Sequence, residues 1–142
     1  MGSYEFKEHT ADVMFIAHGA SMSDLLKSSG LAVMDCMVDL KSVSKKVSNS
    51  FELVEEKNPE SLLFSFLEEI IFLKDAEQVL FSDFSVSIKE EPHSYILKVK
   101  CSGEKIDPKK HRLKVDVKAV TLHEFSVRKT SKGYKAQVIL DI

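Results

Sequence analysis

Several things are scarce in this sequence of 142 residues. It has two cysteines, Cys36 and Cys101, and neither has a CxxC partner. That argues against a disulfide framework and a zinc site, and leaves both as small core residues in a reducing compartment. Net charge is nearly absent: 20 Lys+Arg stand against 22 Asp+Glu, a formal −2. A stand-alone nucleic-acid binder draws on phosphate neutralisation, so a chain-wide basic character is missing, although a local basic patch stays open. The start, MGSYEFKEHT, has no apolar h-region, and Phe6 breaks the myristoylation pattern. The longest apolar stretch, near 62–73, is interrupted by Ser65, Glu68 and Glu69 and cannot span a bilayer. A cytoplasmic protein that does not engage membranes is expected. There is no P-loop, no Gly-rich phosphate cradle, no nucleophile–base–orienter set, no internal repeat and no low-complexity segment.

What is present fits one domain over 1–142. YEFKEHTADVMFIAHG reads as a short strand, a polar corner and a second strand. In the second, Val13, Phe15 and Ala17 alternate with Met14, Ile16 and His18, so both faces are largely apolar, as in a strand covered on both sides. Ser21 with Asp24 opens a helix over about 21–38, with Met22, Leu25, Leu26, Val33, Cys36 and Met37 on one stripe. Gly30 sits off that stripe, at a cost of ~1 kcal/mol against Ala. SVSKKVSNSFELVEEK predicts one or two strands.

NPESLLFSFLEEIIFLKD predicts a second helix. Asn58 caps it, Pro59 takes the first position, and Leu62, Leu63, Phe66, Leu67, Ile70 and Ile71 form a wide stripe that must pack on a sheet. From 79 the period is two. Strands are predicted around 84–88, 95–101, 113–117, 125–127 and 134–140, with EEPH and TSKG as turns. The fold class is therefore α+β, mainly antiparallel strands with two helices packed on the sheet.

The chain ends AQVILDI, which sets Asp141 beside the terminal carboxylate of Ile142. In water two such charges repel by only ~1 kcal/mol, and a solvated strand end accounts for them. The other reading needs a third ligand, for which EHTAD offers Asp12, His9, Glu8 and Thr10. Hard oxygen anions suit Ca²⁺ or Mg²⁺, not zinc. Further along, alternation slips between Val117 and Phe125, just after Lys118, which predicts a bulge or strand junction that re-aims side chains. His111 and His123 are too far apart for a single-turn metal pair. EKIDPKKHRLK is locally basic and reads as a solvated loop or a docking surface for a ligase or RNA.

HTAD near the start, SLLFSFLEEII in the middle, GEKID with His111 soon after, VKAVTLHEF and the final LDI together resemble the archease family, in order and spacing, over essentially the whole chain. Leu122 stands where an aromatic is common, and LEEI where LNEL is common. The resemblance implies a non-catalytic protein cofactor of the RtcB-type RNA ligase that joins tRNA halves. Such a protein promotes GMP transfer from GTP to the ligase histidine, allows multiple turnovers and meets tRNA only through the ligase. It also implies a divalent cation, calcium before magnesium or manganese, held by Asp12, Asp141 and the Ile142 carboxylate. Lys118 is implied in activation, and His9, Thr121 and His123 match family positions. The alternative is a chaperone-like modulator of a tRNA-modifying methyltransferase without metal chemistry.

Overall fold

The computed structural model describes residues 2–7 and 12–142. Strand β1 (Gly2–Lys7) pairs with β2 (Asp12–Gly19), and helix α1 (Met22–Met37) follows. The Ser21 side chain caps α1 by accepting from the Asp24 N–H at 3.1 Å. A short 3-10 turn at Leu40–Ser42 leads to β3 (Val47–Glu56), a single strand that alternates half-buried and exposed residues along its length. Helix α2 (Pro59–Glu77) starts on the Asn58 cap. It ends at Gln78 in the left-handed conformation. Then come β4 (Val79–Glu90), β5 (Ser94–Lys105), β6 (Ala119–Thr130) and β7 (Gly133–Asp141).

The strands form two antiparallel sheets, ordered β1-β2-β7-β6 and β3-β5-β4. Helix α1 packs on β1, β2 and β7 of the first sheet and on β4 of the second, while α2 touches β6 of the first and β3 and β4 of the second. A main core results, with a smaller cluster of Val38, Val43 and Leu80 apart from it, and the predicted α2 stripe lies within the main core: Leu62, Leu63, Phe66, Leu67, Ile70 and Ile71 are all buried. Burying each such side chain stabilises by about 1.5–3 kcal/mol relative to exposure. Both cysteines are free and buried in this core, where desolvation pushes the Cys36 thiol up to about 11 and the Cys101 thiol up to about 12.

Three expectations need correction. Gly30 is not on a spare face of α1: a Cβ there would sit 2.9 Å from the Phe84 ring and 3.1 Å from Phe66, so its absence lets the helix approach those rings. On β2 only Ile16 of the second face is buried; Met14 is half-buried and His18 exposed. The strand predicted around 113–117 does not form. Leu113 makes one isolated bridge to Val38, Asp39 N–H donates to the Arg112 carbonyl, and Lys114 N–H donates to the Met37 carbonyl. Leu113 and Val115 stay exposed and only Val117 is buried. An alternating sequence makes an extended chain, but a strand also needs a partner ladder, and here the chain crosses the end of α1 instead.

Candidate functional site

The chemistry-bearing residues gather at one end of the four-stranded sheet. Asp12 on β2 is the direct cross-strand partner of Asp141 on β7, and Ala119 on β6 flanks Asp141 on its other side. Directly opposed residues project to the same face with Cβ atoms about 4.5–5.5 Å apart, and like charges so placed destabilise the pair. Beside them the Lys118 N–H donates to the Asp141 carbonyl at 2.8 Å, which fixes where β6 begins. Ile142 packs its side chain on the core and so holds the last residue in place.

The other predicted positions separate. Thr121 opposes Ile139 one pair further along the same face, and its hydroxyl donates to the Ile139 carbonyl at 3.0 Å, which gives it a local structural bond. Beyond Thr121 the ladder slips: Ser126, five residues on, pairs with Gln137, only two residues from Ile139. This is the bulge anticipated from the broken alternation. Glu124 takes a left-handed φ of 51° within it, and the Gln137 side-chain amide donates to the Glu124 carbonyl. His123 stands on this bulge, exposed, with Glu124 at 3.6 Å. His9 lies outside the described residues.

Two supports for this end were given no structural role in the sequence reading. Lys74, on the apolar stripe of α2, is 3% exposed. Its ammonium donates to Asp116 at 2.7 Å and to the Val117 carbonyl at 3.3 Å, and pairs with Asp75 at 2.6 Å. Burial opposes its charge, but the hydrogen bonds and charges of Asp116 and Asp75 outweigh that and hold its pKa above the ordinary lysine range. The lysine thus clamps 116–117 to α2, immediately before Lys118. A lysine recurring in register with Ile70 and Ile71 was the available signal.

The second support is built from GEKID and His111. Glu104, 8% exposed, accepts from Lys110 at 2.8 Å, from the Ser44 N–H at 3.0 Å and from His111 Nε2 at 2.9 Å. His111 Nδ1 accepts the Asp107 N–H at 2.9 Å, so that nitrogen carries no proton and the Nε2–H tautomer donates to Glu104. The motif closes the 106–118 loop on itself.

Among the described residues, no three His, Cys, Asp or Glu side chains converge to hold a metal. A cation at the sheet end would draw on Asp12, Asp141 and the main-chain carboxylate of Ile142. That donor set is all hard oxygen on a shared sheet end, and it fits Ca²⁺, Mg²⁺ or Mn²⁺.

The architecture is that of a small α+β protein with opposed carboxylates at one end of a sheet. The Archease protein family model matches residues 4–142, and the chain belongs to that family. Protein archease of Pyrococcus furiosus is 40% identical over 143 residues, with both chains fully covered. That of Methanosarcina mazei is 36% identical, covering 98% of this chain and 95% of its own. A solution structure of a Methanobacterium thermoautotrophicum protein superposes with a TM-score of 0.87 at 34% identity over 98% of each chain. A Thermotoga maritima crystal structure, described as an archease and possible chaperone, gives a TM-score of 0.62 at 20% identity over 96% of this chain and 94% of its own, a likeness of fold. No helix among the described residues is long and apolar enough to cross a membrane.

Proposed function

We propose that this chain activates an RtcB-type RNA ligase in tRNA splicing and RNA repair, doing no bond chemistry of its own. It promotes guanylylation of the ligase histidine and repeated turnover, and it acts through the carboxylate end of the four-stranded sheet. Family membership over nearly the whole chain supports the class of function. The observation that carries the site is the register: the family-implied Asp12 and Asp141 are cross-strand partners, with Lys118 hydrogen-bonded to Asp141 through its main chain.

In this reading the divalent cation, calcium before magnesium or manganese, supplies positive charge at the sheet end where Asp12 and Asp141 are cross-strand partners. Asp12 and Asp141 hold it from neighbouring strands, and the Ile142 carboxylate completes the oxygen set. Ile142 orients that carboxylate through its packed side chain, and the Lys74 clamp with the Glu104 network fixes the segment that delivers Lys118. Thr121 keeps β6 in register before the bulge, and His123 is carried outward on it. His9 takes its place in the reading from the family motif alone.

The test is covalent guanylylation of a cognate RtcB-type ligase by GTP, with and without the protein. Faster labelling with wild type and little with Asp141→Asn is expected. Appending two glycines after Ile142 moves the terminal charge about 7 Å along an extended chain. Calcium affinity should then fall at least about tenfold, or ~1.4 kcal/mol, with activation falling alongside. Full activation in the presence of a chelator would defeat the metal reading and favour a chaperone-like modulator.

A further inference from the structure

The end of the molecule opposite the carboxylates is built differently. Strand β7 runs from Tyr134, paired with Gly19, to Asp141, paired with Asp12, which puts about 24 Å of strand between the two ends. Here the β6–β7 turn meets the start of α1. Gly133 has a φ of 135°, and a Cβ on it would sit 2.2 Å from the Gly19 carbonyl oxygen and 2.8 Å from Ala20 Cα, so glycine is what lets the turn come this close. Between this turn, the start of α1 and the β4–β5 hairpin lies a hollow of about 640 Å³.

Its floor is an uncovered end of the core. Met22 on α1, Ile88 on β4 and Tyr134 on β7 line it, and each packs on the core yet stays half-buried. Tyr95 lines it from β5. That residue is 8% exposed and shares a strand face with Leu97, Val99 and Cys101, all buried. Its hydroxyl has no hydrogen-bond partner among the described residues. A tyrosine buried this far usually finds a partner for its O–H. Among the described residues the unpartnered hydroxyls sealed from solvent are those of Ser29 and Ser82, so the Tyr95 oxygen is open, and the hollow is what it opens into. Burial first, and then the Glu90 carboxylate, raise its pKa above the ordinary tyrosine value. At neutral pH it therefore keeps its proton and can donate.

The walls carry positive charge and free donors. The N–H groups of Met22 and Ser23 open α1 and have no acceptor within the helix, while the Ser21 hydroxyl oxygen is taken by the Asp24 N–H. They stand at the positive pole of a 16-residue helix. Lys129, the cross-strand partner of Tyr134, and Lys132 in the turn line the other side. Neither ammonium makes an ion pair among the described residues. One carboxylate lines the hollow, that of Glu90, and it is already paired with Lys57 at 3.3 Å. Two unmatched ammonium groups and a helix N-terminus suit a dianion with three acceptor oxygens better than a carboxylate with one charge and two. The half-buried floor suits an apolar group attached to that dianion, which a bare ion would leave wet.

We propose that this hollow binds a phosphomonoester carried on a compact apolar body. The phosphate lies at the Met22 and Ser23 N–H groups between Lys129 and Lys132, the Tyr95 hydroxyl donates to a ligand oxygen, and the body covers Tyr134, Met22 and Ile88. The site is remote from the carboxylate end and does not rest on the ligase reading.

The full chain carries its own reporter, since it has three tyrosines and no tryptophan, and Tyr95 and Tyr134 both line the hollow. Tyrosine fluorescence is followed as cyclohexyl phosphate, transparent where tyrosine absorbs, is added. Inorganic phosphate, cyclohexanol and cyclohexanecarboxylate are titrated alongside. Cyclohexyl phosphate should give a saturable change and bind at least about tenfold more tightly than the other three. Tyr95→Phe deletes a hydroxyl that bonds nothing in the protein, so the melting temperature should hold while affinity falls about fivefold, with Tyr134 still reporting. Lys129→Gln with Lys132→Gln should weaken binding about tenfold and flatten its salt dependence. Lys109→Gln with Arg112→Gln removes the same charge from the 106–118 loop and should stay within about twofold of wild type. No saturable change up to about 20 mM cyclohexyl phosphate would overturn the proposal. So would wild-type affinity in Tyr95→Phe or in the Lys129, Lys132 variant, or an equal loss in the loop variant. Inorganic phosphate binding as tightly as the ester would remove the apolar body, and cyclohexanecarboxylate doing so would remove the phosphate; either overturns the assignment. Because no ligase is present, a negative result here leaves the guanylylation test unaffected.

Discussion

Two stretches of this protein are rich in lysine and arginine, and the fold engages their cations to different degrees. The loop at 105–118 looks the more basic in sequence, yet three of its lysines are taken up by the protein's own oxygens. Lys105 donates to the Glu77 carbonyl, Lys110 to both Glu104 oxygens and to Ser44, and Lys114 to the Asp35 carbonyl and carboxylate. The β6–β7 hairpin is a run of ordinary strand residues, and its exposed cations have no such partners among the described residues. Local basicity therefore does not locate an interaction surface. Charge that the fold has already matched has lost much of the field it could offer a partner.

If that contrast is right, the largest effect should come from the centre of the matched region. Glu104→Gln keeps the shape but removes the anion shared by Lys110, the Ser44 amide and His111. The melting temperature at neutral pH should fall by several degrees, more than for any substitution of an exposed charge, and hydrogen exchange should speed up across 106–118. The effect carries a pH signature. The Lys110 hydrogen bond first, then those of the Ser44 N–H and His111, hold the Glu104 carboxyl far below its ordinary value of 4.5. A depressed folded-state pKa stabilises fully above the unfolded value and loses that stabilisation as pH falls below it. The melting temperatures of wild type and Glu104→Gln should thus converge as pH drops below about 4.5. A gap that stays constant into acid would show that Glu104 contributes by shape and not by charge.

Next comes the clamp at the other end of the loop. Lys74→Met retains most of the volume of the side chain and deletes its bonds to Asp116, Asp75 and Val117. Asp116 is 72% exposed at its side chain and Asp75 57%, so both carboxylates regain water when the lysine goes. The loss is then smaller than for an enclosed ion pair, about 1–3 kcal/mol, mostly from the orphaned Val117 carbonyl and the charged hydrogen bonds. Urea unfolding measures it. Activation of the ligase should fall further than stability alone explains, because the same clamp delivers Lys118 beside Asp141. Activation unchanged at full folding would separate Lys118 from the function.

How far the sequence carried the reading follows from the same physics. Helix α2 was legible from Asn58, Pro59 and its four-residue repeat, since burial and capping there both depend on nearby residues. The bulge after Thr121 was legible because a slip in alternation is itself a local signal. Asp12 opposite Asp141 was not, since cross-strand register joins residues more than a hundred positions apart; the family resemblance paired them first. The strand expected around 113–117 failed because a partner ladder cannot be read from one segment. The sequence likewise shows which residues are basic but not which are matched: Lys110 meets Glu104 only through a turn at 106–110, and Lys74 was hidden in an apolar stripe. Gly30 was read as a local cost to the helix, while the two rings it accommodates lie on α2 and β4.

The smallest effect is the sharpest test of the contrast, because its sign matters more than its size. Lys110→Gln and Lys135→Gln remove the same charge from the same residue type. In the loop the loss leaves Glu104 and the Ser44 hydroxyl short of a donor, so the melting temperature should fall. On the hairpin it removes a cation standing directly opposite Arg128, an arrangement that costs stability in the absence of an anion. Lys135→Gln should therefore be neutral or gain about 0.2–0.5 kcal/mol, a rise of roughly 1 °C for a domain of this length. Both Lys135 and Arg128 are exposed, so screening should erase the gain as salt is raised toward 1 M, where the Debye length is about 3 Å. The Lys110→Gln deficit should shrink less, because Glu104 is nearly enclosed and its hydrogen bonds persist in salt. Scanning calorimetry of the two variants at low and high salt reads all four quantities. A Lys135→Gln loss as large as that of Lys110→Gln would mean the hairpin lysine is matched after all.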